Sequence, residues 1–186
     1  MRRLFCILFM IYSATSSVLA NSTTASFLND YYHVEQVSIS RSDAAISSGA
    51  NAVISNPAGL SRGQDRLYLS HFQKLDTQSI LVSSAINLGQ FSVGLGLLSR
   101  GSGAIPEGAY NSSLNRVELS GNTFDYLAVV GTLSLAREIN DSMSVGVSFH
   151  QLMESIYNNS ARATQVDIGV QQRLFEDELC WGLIAK

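Results

Sequence analysis

The sequence predicts an all-β protein, an antiparallel membrane β-barrel of which about seven strands are present, preceded by a short loop-rich segment with helical turns. Three observations lead there. The amino terminus reads as an export signal, apolar and small or polar side chains alternate residue by residue from Arg66 onward, and the links between the alternating runs are short and long by turns.

Residues 1–20 form the signal: basic Arg2 and Arg3, an apolar run from Leu4 to Tyr12, then small residues closing on Val18-Leu19-Ala20. The apolar run is roughly half of the ~20 residues a membrane-spanning helix needs, so it is read as cleaved rather than as an anchor. No later stretch is apolar for eighteen residues, so any span beyond Ala20 is made of strands. From Asn21 to about Ser61 the chain is rich in Ser, Ala and Asn without period-2 alternation. Its best helical prospect is Asp43-Ala44-Ala45-Ile46 behind the cap Ser42. Asn56-Pro57-Ala58-Gly59-Leu60 is expected to be a rigid turn, with Pro57 holding Asn56 extended and Gly59 free to take a positive φ.

The strands follow in order. Arg66 to Phe72 is the first. In Gln78 to Leu88, Ile80, Val82, Ile86 and Leu88 oppose Ser79, Ser83 and Asn87, with Leu81 the exception. In Phe91 to Ser99, Phe91, Val93, Leu95 and Leu97 oppose Ser92, Gly94 and Gly96. Phe124 to Ala136 sets Leu127, Val129, Leu133 and Leu135 against Tyr126, Ala128, Thr132 and Ser134, interrupted by Val130. Met143, Val145, Val147 and Phe149 oppose Ser144, Gly146, Ser148 and His150. Val166, Ile168, Val170 and Leu174 oppose Asp167, Gly169, Gln171 and Arg173, and Leu179 to Ala185 is the seventh. Strands of about 11 residues at about 3.3 Å each, tilted by about 40°, rise roughly 28 Å, close to the apolar band of ~25 Å that outer-membrane barrels present to lipid. Arg100 to Thr123 and Ser155 to Arg162 are expected to be the long links, as external loops are in such barrels. Tyr68, Phe72, Phe124, Tyr126 and Tyr157, near strand ends, are expected in aromatic girdles.

Composition narrows the function. The formal charge is −3, it becomes more acidic once Arg2 and Arg3 leave with the signal, and no basic block exists, which speaks against nucleic acid as a partner. Cys6 leaves as well, so Cys180 stays alone without a disulfide framework. His33, His71 and His150 are far apart, no metal spacing or nucleophile-base-acid order is present, and Gly94-Leu95-Gly96 lies inside a strand with no helix behind it. No catalysis, cofactor or metal is expected.

Gly49-Ala50-Asn51-Ala52-Val53-Ile54-Ser55-Asn56-Pro57-Ala58-Gly59-Leu60 resembles the end of the amino-terminal plug in the PorV/PorQ group of outer-membrane proteins, relatives of the FadL long-chain fatty-acid transporters. Ser144 to His150 and Val166-Asp167-Ile168-Gly169-Val170 resemble strands of the same group, and the likeness covers about Ser40 to Lys186. Some spirochaete relatives form an uncharacterised FadL-like family. The resemblance implies a FadL-like barrel of about fourteen strands, within the range known for such barrels, with residues 21–64 as an internal plug and 65–186 as part of the wall. Two departures stand out: Ser47-Ser48-Gly49 replaces the usual Gly-rich acidic stretch, and the seventh strand lacks a terminal aromatic. Seven strands cannot close such a cylinder, so the chain is expected to be truncated or, as the lesser option, to pair with another copy or fragment.

The lumen candidates are His150, Asp167, Gln171 and Arg173, which read more readily as hydrated wall residues with no individual role, and the plug turn is Asn56 to Leu60, which reads as readily as a purely structural turn. The expected function is passive uptake of small hydrophobic molecules such as long-chain fatty acids, at the bacterial outer membrane and in contact with its lipid. A non-transporting barrel serving type IX-like secretion or surface display, with a secretion-system partner, is the alternative, and an inactive truncated product a third.

Overall fold

In the computed structural model the described residues are 43–64, 66–175 and 178–186, all within one compact unit, Tyr31–Lys186. The signal 1–20, the cap Ser42 and His33 lie outside them. Seven strands follow one another: β1 Arg66–Lys74, β2 Thr77–Leu88, β3 Phe91–Asn111, β4 Arg116–Asn140, β5 Met143–Ile156, β6 Asn159–Leu174 and β7 Leu179–Ala185. Each pairs antiparallel with the next in one curled half-barrel sheet ordered β1 to β7. Two 3-10 segments, Gly49–Val53 and Pro57–Arg62, pack on its inner face, the first against β1 to β4 and the second against β3 to β6.

The alternation read from the sequence sorts side chains onto two faces, and the burial of those faces is inverted relative to a water-soluble sheet. Leu95 and Leu133 are each 54% exposed on the outer face, while Ser134 and Ser148 are 1% exposed on the inner one. The register builds outer rows such as Leu95, Leu133, Phe149, Val166 and, beside it, Val93, Leu135, Val147, Ile168. The inner rows carry Gly94, Ser134, Ser148, Asp167 and Gly96, Thr132, His150, Gln165. Leu81 and Val130, which break the alternation, are not noise: the register sets them side by side with Leu98 and Leu152 in one buried inner row, a cross-strand apolar band.

Link lengths differ from the expectation. Arg100 to Thr123 is mostly strand, because its residues pair with each other: β3 and β4 run 21 and 25 residues and meet at a turn of residues 112–115. Ser155 to Arg162 likewise contains only the turn Tyr157-Asn158. β2 leaves β3 at Gly101 and β5 leaves β4 at Tyr126, so the hairpin beyond them is a two-stranded overhang with bulges at Ser102/Ile105 and Pro106/Gly108. Asn111 Oδ1 closes its tip by accepting from the Ser113 and Leu114 amides.

Near the amino terminus Asp43 to Ser47 makes one hydrogen-bonded turn, at the stretch expected to be helical, and two 3-10 segments not expected there lie further on. Asn56 is extended at φ −139°, as Pro57 requires, and caps a 3-10 segment that stands where a rigid turn is expected. Gly59 is not among the positive-φ residues. It is glycine because a Cβ would overlap the Ser47 carbonyl. Tyr68, Phe72 and Tyr126 stand in the inner rows with Ser83, Ser79 and Ala128, not in an outer girdle, while Phe124 and Tyr157 pair edge to face at 5.9 Å.

Candidate functional site: the plug and the inner wall

The two 3-10 segments are too short to satisfy their own backbone, so their open carbonyls need donors from elsewhere. The wall provides them. Ser83 Oγ donates to the Ala50 carbonyl at 2.9 Å, Ser134 Oγ to Val53 at 3.4 Å, and Asn87 Nδ2 to Gly63 at 2.7 Å. Gln171 Nε2 reaches the Ala44 carbonyl at 2.9 Å and that of Ser47 at 3.1 Å. In return Asn56, fully buried, donates from Nδ2 to the Ala44 carbonyl at 2.7 Å and to the Val170 carbonyl at 3.3 Å, while its Oδ1 accepts from the Ala58 amide at 3.1 Å. Arg62 closes the far end, with Nε on Ser144 Oγ at 2.8 Å and Nη2 on the Ser142 carbonyl at 2.6 Å.

Close approach explains the small residues of the inner face. A Cβ on Gly94 would stand 2.7 Å from a Leu60 methyl and 2.8 Å from a Val53 methyl; one on Gly146 would meet the Pro57-Ala58 peptide, and one on Gly169 the Asn56 carboxamide. Glycines on β3, β5 and β6 therefore make the groove that the amino-terminal segment occupies.

Next to the plug lies a buried polar network across three strands. Thr132 Oγ1 is 2.9 Å from His150 Nδ1, His150 Nε2 is 3.2 Å from Asp167 Oδ2, and Gln165 Nε2 donates to Asp167 Oδ1 at 2.7 Å. The hydrogen bonds close with Thr132 donating to Nδ1 and Nε2–H donating to the carboxylate, which leaves every group satisfied. Lys186 Nζ stands 4.0 Å from the same carboxylate, and Ser134 and Ser148 share a 2.7 Å bond one row away. Chemically the array is a covered chain of hydrogen bonds from Thr132 through His150 and Asp167 to Gln165.

Of the lumen candidates, His150 and Asp167 meet directly, both on the buried inner face. Gln171 is buried too but engages the plug instead. Arg173 is half-buried at the turn end of β6, its backbone amide donating to the Ser142 carbonyl. In the plug turn, Asn56, Pro57, Ala58, Gly59 and Leu60 are all buried against the wall. Thr132, Gln165, Arg62 and Ser144 escaped the sequence reading as site residues. The alternation puts Thr132 and Ser144 on the inner face, and only cross-strand register joins Thr132 to His150. On the outer face a depression of about 420 Å³ lies over Gly131, between Ser84, Leu95, Leu97, Leu133 and Gln151. No protein-family model, curated protein or solved structure matches the chain.

Proposed function

We propose that the chain forms the wall and plug of a FadL-like outer-membrane barrel that admits small hydrophobic molecules by passive diffusion. The observation that carries the reading is the inverted sheet: large aliphatic and aromatic side chains on the exposed outer face, and Ser, Gly, His, Asp and Gln on the buried one. Each such side chain gains roughly 1.5–3 kcal/mol on leaving water, and an apolar face this wide exceeds the few hundred Å² that soluble monomers tolerate. The outer Gln151 and Thr164 are satisfied within the sheet, as lipid would demand: Gln151 donates to the Ala163 carbonyl at 3.1 Å and accepts from Thr164 Oγ1 at 3.2 Å.

The overhanging β3–β4 hairpin favours a second reading, surface display or docking of a secretion partner. One face of it carries exposed Tyr110, Val117 and Leu119, the other Asn111, Arg116 and Glu118. Uptake of a labelled long-chain fatty acid by cells with and without the gene separates the two. Uptake that falls on deletion supports transport; unchanged uptake together with loss of a surface or secreted protein supports display.

A further inference from the structure

We propose that one face of the β3–β4 ribbon, carrying Tyr110, Val117 and Leu119, lies on the lipid surface around the wall as an interfacial anchor. This rests on the wall standing in lipid, the reading given above. The ribbon is the part of β3 and β4 beyond Gly101 and Tyr126, where β2 and β5 turn away, so among the described residues no third strand flanks it. A lone two-stranded ribbon is marginal in water. One face of this one is braced by hydrogen bonds: Glu107 accepts from Ser120 Oγ and Asn122 Nδ2, and Glu118 from Asn111 Nδ2 and Arg116 Nε. The other face has no such bracing of its aliphatic side chains, and Tyr110, Val117 and Leu119 stay 65%, 69% and 75% exposed.

Register assigns the apolar face to the outward side of the wall. On β4, Leu127, Leu133 and Leu135 face outward, and Val117 and Leu119 hold the same alternate positions. The irregularity after Pro106 advances β4 four residues, from Thr123 to Leu119, against two on β3, so the excess is even and the faces do not exchange. The one after Ser102 advances β3 three residues, to Ile105, against two on β4. Only β3 changes parity there, which brings Tyr110 onto the outward face opposite Val117. The apolar trio therefore continues the lipid-facing side of the wall, while Glu107, Arg116 and Glu118 fall on the opposite face. Asp125, outward at the ribbon's base, is engaged by the Ala104 amide at 2.9 Å.

Size and chemistry select lipid over protein. Three side chains fall far short of the roughly 800 Å² a side that a stable protein interface buries, which speaks against a second copy docking here. A bilayer surface asks for no matching shape, and tyrosine beside aliphatic side chains suits its headgroup level. Bulges bend a strand, and both irregularities lie between the rim and the tip. About ten residues a strand at about 3.3 Å each reach well past the rim. A ribbon leaning away from the barrel axis sets its outward face down on the surrounding lipid and turns Arg116 and Glu118 up to water.

The test places one fluorophore at a time. In the full chain, Trp181→Phe removes the single native tryptophan, and Leu119→Trp, Val117→Trp, Ala109→Trp or Leu133→Trp adds one back. Each variant is inserted into phosphatidylcholine vesicles whose acyl chains carry bromine either close to the headgroup or at mid-chain. The expected result is that Leu119→Trp and Val117→Trp lose fluorescence most to bromine near the headgroup and Leu133→Trp most to mid-chain bromine. Ala109→Trp, on the opposite face of the ribbon, is expected to lose little to either. Positions 117 and 119 are both exposed, so either one decides if the other variant fails to insert. Quenching at 133 with none at 117 and 119 overturns the anchor, leaves the wall in lipid and frees the apolar face for a protein partner. Equal quenching at 109 and 119 overturns the assignment of faces. No quenching at 133 overturns the membrane reading, and the anchor falls with it.

Discussion

Gly169 and Asn56 meet at the tightest point between wall and plug. A Cβ at 169 would overlap the Asn56 carboxamide and approach Pro57 Cδ to 3.1 Å. Gly169→Val is expected to push the plug out of its groove at a cost of about 1–3 kcal/mol, read as faster tryptic cleavage after Arg62 with the strands still intact. Asn56→Ala removes the cap and leaves the Ala44 carbonyl with Gln171 as its remaining described donor. It is expected to cost about 1–3 kcal/mol, seen as an earlier denaturant midpoint. Leu75 shows the opposite case: exposed in the β1–β2 turn, it holds φ at 53° where a side chain is strained. Leu75→Gly is expected to stabilise by about 1 kcal/mol. At this scale the extended Asn56 was legible, because Pro57 dictates it locally. Its two carbonyl acceptors were not, since Val170 lies 114 positions away.

Among the elements, β2 could be read nearly to its ends despite Leu81. β5 and β6 could be read over Met143 to His150 and Val166 to Leu174, where one residue in two faces each side of the sheet, but not where they meet at Tyr157-Asn158. The β3–β4 hairpin could not. Its two bulges break the period, and Gly101-Ser102-Gly103 offers no contrast between faces, so a paired ribbon looked like a loop. That ribbon carries two hydrogen-bonded carboxylates in its two-stranded overhang. Hydrogen bonds from Asn122 and then Ser120 hold Glu107 below the usual carboxylate range, and those from Asn111 and Arg116 do the same for Glu118. Carboxylates so depressed contribute order that is fully present above the ordinary value of roughly 4.3 and is lost as pH falls through their lowered values. Amide exchange in residues 105–118, corrected for the intrinsic pH effect, is expected to stay constant from neutral pH to about 5 and to accelerate in stronger acid. Constant corrected exchange down to pH 2 would remove the carboxylates from the account.

For the molecule as a whole, the order of strands and the sidedness of the wall were both legible, since consecutive alternating runs joined by turns pair as neighbours. The apolar inner row was legible only as isolated exceptions at Leu81 and Val130, because a row across strands is invisible until register is known. Leu133→Arg, at the centre of the outer face, discriminates environments. In lipid it is expected to lower stability by about 2–4 kcal/mol, measured by urea titration in vesicles. A change near zero would mean that water bathes that face.

The hydrogen bonds between Gln171 and the Ala44 and Ser47 carbonyls span 127 and 124 positions. The segment synthesised first thus receives its anchors last, after β6 has emerged and found its place. Until then its carbonyls and the glycine groove are apart, and so much of its native pairing is remote in sequence that assembly should be slow. The seating of Ala44 and Ser47 on Gln171 thus waits on the last strands of the sheet rather than on their neighbours in sequence.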